Sequence, residues 1–293
     1  MGFEKCHPAV NLIYFSAVLF GALWFKHPAF VLISFLCAFT YSIKRNGIKA
    51  FLFNLCLLPA AAAFTAYYVS YNHFGVTILK KNLIDNNITL ESLLYGIMLS
   101  TSIASAIMWF SCIYSIFSSD KVVYLFGKVS PRLSLWLSVI LRAVPKIKLT
   151  AKKINIAQKG IGRGADQGNI FRRIRNCLRI LSILITDTLE AFVVSSDSMR
   201  SRGNNLRGRT AFSIYRFDNR DRAFVIGMFT CITITLAGIL LHQTDMLFDP
   251  RIIMPTITPV SVIFYIGFVF LCLMPPAMEL WTEYQFRKAR VGL

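Results

Sequence analysis

Long apolar blocks alternate with short polar ones along this chain. Runs at 9–25, 28–43, 51–71, 91–117, 222–241 and 259–277 consist mostly of aliphatic and aromatic residues. A bilayer core of about 30 Å takes around 20 such residues in a helix, so the six runs predict membrane-spanning helices. The first two, parted by Lys26-His27-Pro28, are short enough to form either two crossings or a tight hairpin. No basic region followed by a small-residue cleavage site opens the chain, so its first run is expected to be retained. The pattern predicts an all-α polytopic membrane protein with three regions. Residues 1–117 form an N-terminal transmembrane region, 118–221 a polar module of amphipathic helices, and 222–293 a C-terminal transmembrane region with a basic tail.

Inside 118–221 the period changes. Ser118-Ser119-Asp120 supplies N-cap residues ahead of a short amphipathic piece containing Val122, Val123, Leu125 and Phe126. Ser130-Pro131 opens a second helix, with proline tolerated in the first turn. Its apolar start, 133–144, is too short to span, and Pro145 is expected to kink or interrupt it. Beyond Pro145, lysines alternate with Ile147, Leu149, Ile154 and Ile156 until Gly160, Gly162 and Gly164 end the helix. A third helix is predicted from about 169 to 200. At 100° per residue, Ile174, Leu178, Leu181, Ile185, Leu189, Phe192, Ser196 and Met199 share one face, opposite Arg172, Arg175, Arg179, Glu190 and Asp197. Could this helix cross lipid? The aliphatic and Phe residues of 178–196 contribute about −3 to −6 kcal/mol, whereas Asp187 and Glu190 cost about +5 to +7 kcal/mol. The helix is therefore expected at the membrane boundary, against protein.

Composition agrees with the membrane assignment. Of 293 residues, 55% are hydrophobic, 25 are Phe and only 16% are charged, against roughly 25% charged in soluble domains; mean hydropathy is +0.56. The net charge of +18 is unevenly placed. With the N-terminus inside, the outer loops hold only Lys26, Lys80, Lys81 and Arg251, and the basic module and tail lie inside. The positive-inside rule then expects both termini in the cytoplasm.

Candidate chemistry is sparse. The seven cysteines lie mostly in apolar runs without a CxxC pair, and the four histidines lack ligand spacing, so small buried thiols and no metal site are expected. Gly160-Ile161-Gly162-Arg163-Gly164 is not a phosphate loop: no lysine follows in Walker spacing, and a helix end presents carbonyls to an anion. Glu91 and Glu279 read as span-boundary residues, which leaves no carboxylate path for a self-contained ion carrier. The basic segment lacks interleaved aromatics, which argues against nucleic acid. What remains are two short signatures at predicted helix ends, Gly162-Arg163-Gly164 and Ser201-Arg202-Gly203. Each combines a small residue, a planar cationic fork and a glycine able to turn left-handed.

From Ser118 to Gly203 the chain resembles the T component of energy-coupling factor (ECF) transporters. The resemblance is carried by the Asp120-to-Pro131 helix, by LSVILRAVPKI (Leu137–Ile147), by IAQKGIGRGAD (Ile156–Asp166) and by Ser198–Gly203. In that family two coupling helices each end in Ala-Arg-Gly and insert into one of two ATP-binding cassette (ABC) ATPases. Here Gly162 and Ser201 stand where alanine is usual. The resemblance implies that Arg163 and Arg202 are the coupling arginines, with Gly164 and Gly203 the turn residues. It further implies a non-catalytic scaffold in a bacterial plasma membrane, with ATP bound only on partner subunits and no cofactor of its own. The apolar stripe from Ile174 to Met199 would meet the small membrane-embedded S component or the neighbouring coupling helix, serving uptake of a vitamin or metal ion. Two other readings of the basic module are a polytopic enzyme acting on lipid phosphates and an anchor for a different cytoplasmic complex.

Overall fold

A computed structural model describes residues 2–72, 74–81, 87–203, 215–255 and 258–291. Their contacts divide the chain into two compact units, Met1–Ser118 with Tyr215–Leu293, and Ser119–Ile214. The first contains α1 (Pro8–Trp24), α2 (Pro28–Asn46), α3 (Ile48–Tyr71) and α4 (Leu90–Ile116). A small antiparallel hairpin, β1 (Ile78–Lys81) with β2 (Asn87–Thr89), precedes α4. The second holds α5 (Ser119–Val129), α6 (Pro131–Gly160) and α7 (Ile170–Ser201), after which α8 (Asn219–Leu240) and α9 (Pro259–Val291) complete the first. Among the described residues the chain is all-α apart from this hairpin and one isolated bridge, Leu247–Ile253.

Five helices (α2, α3, α4, α8 and α9) are long and apolar enough to cross a membrane. With 17 residues, α1 extends only about 25 Å, short of the hydrocarbon thickness. The two helices of the first hairpin start alike. His7 and His27 each stand before proline and accept a hydrogen bond through Nδ1, from the Ala9 and Ala29 N–H at 3.2 Å in both cases. An imidazole thus fills the N-cap role usually taken by Ser, Thr, Asp or Asn. These two histidines belong to helix starts.

In lipid, helices associate through close packing and interhelical hydrogen bonds, because the surrounding tails are as apolar as the side chains. The core of the first unit accordingly mixes aromatic rings with small polar groups. Trp109 of α4 is fully buried, meets Tyr14 and Phe15 edge-on, and donates its indole N–H to Ser34 Oγ at 3.2 Å. The expectation of buried thiols holds for Cys6, Cys37, Cys112 and Cys272, with Cys231 half-buried; Cys56 and Cys177 are exposed. Burial pushes the Cys6 thiol up to about 11.

Two helices run past the limits expected of them. Of the two outcomes expected at Pro145, a kink or an interruption, the interruption is excluded: α6 runs from Pro131 to Gly160 with the proline inside it. A proline removes one ladder bond at a cost of about 3 kcal/mol, and this 30-residue helix continues through it without ending. Likewise α9 continues past 277 through Pro275-Pro276 to Val291. One of the two lost bond partners is replaced from outside. Pro276 has no N–H for the Cys272 carbonyl four residues back, and the Tyr14 hydroxyl of α1 donates to that oxygen at 3.2 Å. The extension also carries Glu279 beyond a mere boundary role. It is buried, accepts from Tyr41 Oη at 3.3 Å, and lies 3.9 Å from Arg45 and 4.0 Å from Lys44 of α2. Arg45 also pairs with Glu4.

The Tyr14–Cys272 bond is testable by a double-mutant cycle. Tyr14→Phe should lower unfolding stability in detergent by about 0.6–1.5 kcal/mol. In a Pro276→Ala background the restored amide takes the carbonyl, and the same change should then cost almost nothing. Equal penalties in both backgrounds would contradict this account.

Candidate functional site

The second unit contains both arginine–glycine signatures, and its geometry starts from the end of α6. Gly160 is the last helical residue, Ile161 caps it, and Gly162 takes a left-handed φ of +76°. The Gly162 N–H donates to the Lys159 carbonyl at 3.1 Å and the Arg163 N–H to the Gln158 carbonyl at 2.9 Å. These are the two bonds of a Schellman termination, which consumes carbonyls the helix cannot satisfy itself. Arg163 leaves the turn exposed, one residue beyond the left-handed glycine.

The connection to α7 then closes on itself. Gly164 N–H donates to Gln167 Oε1 at 3.0 Å, and Ala165 N–H to Asn155 Oδ1 of α6 at 3.1 Å. The Asn176 amide of α7 donates to the Gly164 carbonyl at 3.1 Å and to the Gln167 carbonyl at 3.4 Å. Lys159 and Asp166 form an ion pair across the turn at 3.5 Å. Both partners are solvent-exposed, so the pair contributes little. A second left-handed glycine, Gly168 at φ +96°, leads into Asn169, whose Oδ1 accepts from the Ile170 N–H at 2.8 Å and starts α7.

The other signature ends α7. Ser201 is its last helical residue, Arg202 the cap and Gly203 the left-handed residue, again at φ +76°, with its N–H donating to the Arg200 carbonyl at 3.0 Å. At 32 residues, α7 is about 48 Å long. The two signatures thus sit at opposite ends of it.

Their register differs from the expected one. Resemblance makes Gly164 and Gly203 the turn residues; the structure assigns the left-handed positions to Gly162 and Gly203. Arg163 therefore follows its glycine, whereas Arg202 precedes its own. The cause is the surplus of glycine around Arg163, which lets α6 stop earlier. Gly164 serves a different need. It is buried, and a Cβ there would lie 3.1 Å from the Lys159 Cβ and 3.2 Å from its Cα. Both guanidinium residues are exposed, and among the described residues neither pairs with a carboxylate.

The predicted stripe of α7 divides into two parts. Phe192 and Met199 line a groove of about 500 Å³ between α6 and α7, together with Arg142, Lys146, Asp187 and Arg202. Ile174, Leu178, Leu181, Ile185 and Leu189 do not enter it and are 50–61% exposed. On α6, Leu133, Trp136, Ile140 and Val144 form a further exposed apolar row. Among the described residues, no group of three His, Cys, Asp or Glu side chains is placed to hold a metal ion. Sequence reasoning missed Asn155, Gln167 and Asn176, three amides without a motif of their own. Their signal is only that each is a polar residue beside a glycine-rich helix break.

These features define a class: a polytopic α-helical membrane protein whose basic helical module lies between candidate spans. No protein-family model matches the chain. Over 109 residues it is 28% identical to the energy-coupling factor transporter transmembrane protein EcfT of Streptococcus thermophilus. That stretch is 37% of this chain and 41% of the relative, so the chain spans less than half the length of the protein it matches.

Two of the three neighbouring glycines, Gly160 and Gly162, should respond differently to alanine. Nothing lies within 4 Å of a Cβ at Gly160 or Gly162, yet only Gly162 has positive φ. Gly160→Ala should be neutral or stabilising by up to about 1 kcal/mol, and Gly162→Ala destabilising by about 1–2 kcal/mol. Local amide exchange at 158–167 reads this directly. Equal effects at the two positions would refute the assigned turn.

Proposed function

We propose that this chain is the non-catalytic membrane scaffold of an ECF-type importer, coupling two ABC ATPases to a small substrate-binding S component. The observation that carries the reading is the pair of exposed arginines at opposite ends of α7, each beside a left-handed glycine. The partial similarity to EcfT supports it. A guanidinium offers two parallel N–H donors to a carboxylate, a geometry that resists sliding and transmits a rigid-body push. Two such contacts separated by about a helix length suit two separate motor subunits. ATP binds those subunits, and this chain needs no cofactor.

In this reading the module and both termini face the cytoplasm of a bacterial cell, where the module's basic residues also favour anionic headgroups. The exposed stripe Ile174–Leu189 meets the S component, because contiguous apolar surface of this kind marks an interaction site. ATP-driven movement of the α6–α7 pair then shifts the S component. Substrate selection, for a vitamin or a metal ion, resides in that component.

Arg163→Glu and Arg202→Glu should each leave the protein membrane-inserted while weakening ATPase co-purification at least tenfold and abolishing uptake. The loss of a charged interface pair commonly costs 2–5 kcal/mol. Full transport by the double variant would eliminate the proposal. Turnover of lipid phosphates by the purified chain alone would favour an enzyme in its place.

A further inference from the structure

We infer that Asn176 is a positioning residue, which holds the turn bearing Arg163 in one conformation before any partner arrives. Only the functional consequence rests on the reading of Arg163 as a docking residue. The brace itself stands on geometry. Asn176 is the sole buried side chain of α7, at 9% exposure, on a helix that is otherwise open or half-open along its length. It donates to two carbonyls, Gly164 and Gln167, within the irregular connection 161–169. From the other side, Asn155 of α6 accepts the Ala165 N–H, and Gln167 accepts the Gly164 N–H with its own side chain.

Backbone groups in a partly buried turn need partners, and here three side-chain amides supply them. The Gly164 carbonyl accepts both the Asn176 amide and the Gln167 N–H, the latter at 3.1 Å. Arg163 lies between this latticework and the Schellman bonds of α6, so its backbone is fixed on both sides while its side chain stays exposed. Holding a contact residue ready in this way reduces the ordering cost of association. Nothing comparable braces Arg202 among the described residues, so a loss at Asn176 should be felt at one end of α7 only.

Hydrogen exchange by mass spectrometry on the full chain in detergent, without partners, tests the brace. In Asn176→Ala the amides of Gly164, Ala165 and Gln167 should exchange about tenfold faster, with amides 196–203 unchanged. Asn176→Asp keeps the shape without the donors and should reproduce the effect. Unchanged exchange at 163–167 overturns the inference, and so does acceleration spread along all of α6 and α7, which would mark a general structural role. If Asn176→Ala does not accumulate, Asn155→Ala decides by the Ala165 amide under the same criteria. A second measurement adds the two ATPases and reads their capture. Locally faster exchange with undiminished capture would uphold the brace and refute its contribution to docking, whereas undiminished capture by Arg163→Glu would refute docking through Arg163 itself.

Discussion

The left-handed turn at Gly162 is the constraint on which the module depends. With φ at +76°, the chain leaves the α6 axis and can spend the carbonyls of Gln158 and Lys159 on its own next N–H groups. A side chain at that position would cost about 1–2 kcal/mol and would favour another turn of helix. Everything downstream inherits this exit direction: Arg163 in solvent, Gly164 pressed against Lys159, and α7 returning so that Asn176 reaches the connection it follows. The first arginine is therefore a product of backbone geometry before it is a matter of charge.

The transmembrane unit solves a related difficulty under stricter terms, since unpaired backbone groups cannot turn to water in a bilayer. Pro275-Pro276 would leave two carbonyls of α9 without ladder partners, and one of them, Cys272, is met by Tyr14 from α1. A few residues further on, Glu279 enters a cluster with Tyr41, Lys44 and Arg45. A buried carboxylate is tolerated when its charge is matched and hydrogen-bonded. The proline pair and the ionic cluster together join α9 to α1 and α2 by polar contacts, in a setting where apolar packing alone discriminates poorly between arrangements.

How much of this was legible in the residues follows from the range of the interactions involved. Five of the six expected spans, α2, α3, α4, α8 and α9, were readable because each is a continuous apolar run, and apolar content needs no knowledge of partners. The start of α7 at Asn169 and its long stripe were readable from capping and period. The end of α6 was not: Gly160, Gly162 and Gly164 each permit a left-handed turn, and the choice depends on Lys159 crowding Gly164 and on Asn155 and Asn176 holding the connection. The passage of helix through Pro145 and Pro275-Pro276 was hidden for a similar reason. Proline reports a local penalty, and only the fold shows what outweighs it. His7 and His27 share a His-Pro-Ala context, a local signal of a helix start that lies in the residues themselves, although histidine is an uncommon N-cap.

The composition of α7 bears on how such a module stays folded. One buried side chain in 32 residues is far too little to stabilise a long helix by tertiary packing, which is where most helical stability arises. Ile174, Leu178, Leu181, Ile185 and Leu189 are at least half exposed, so the apolar face that should supply that stability is unspent within the α6–α7 pair. Asp187 and Glu190 make immersion of the same helix in hydrocarbon expensive. A helix too polar to span and too apolar for water is best completed by a protein surface that covers one face and leaves the other wet. For the scaffold proposed above, such incompleteness would be an advantage, because a stripe already satisfied inside its own chain would have nothing to exchange with a partner.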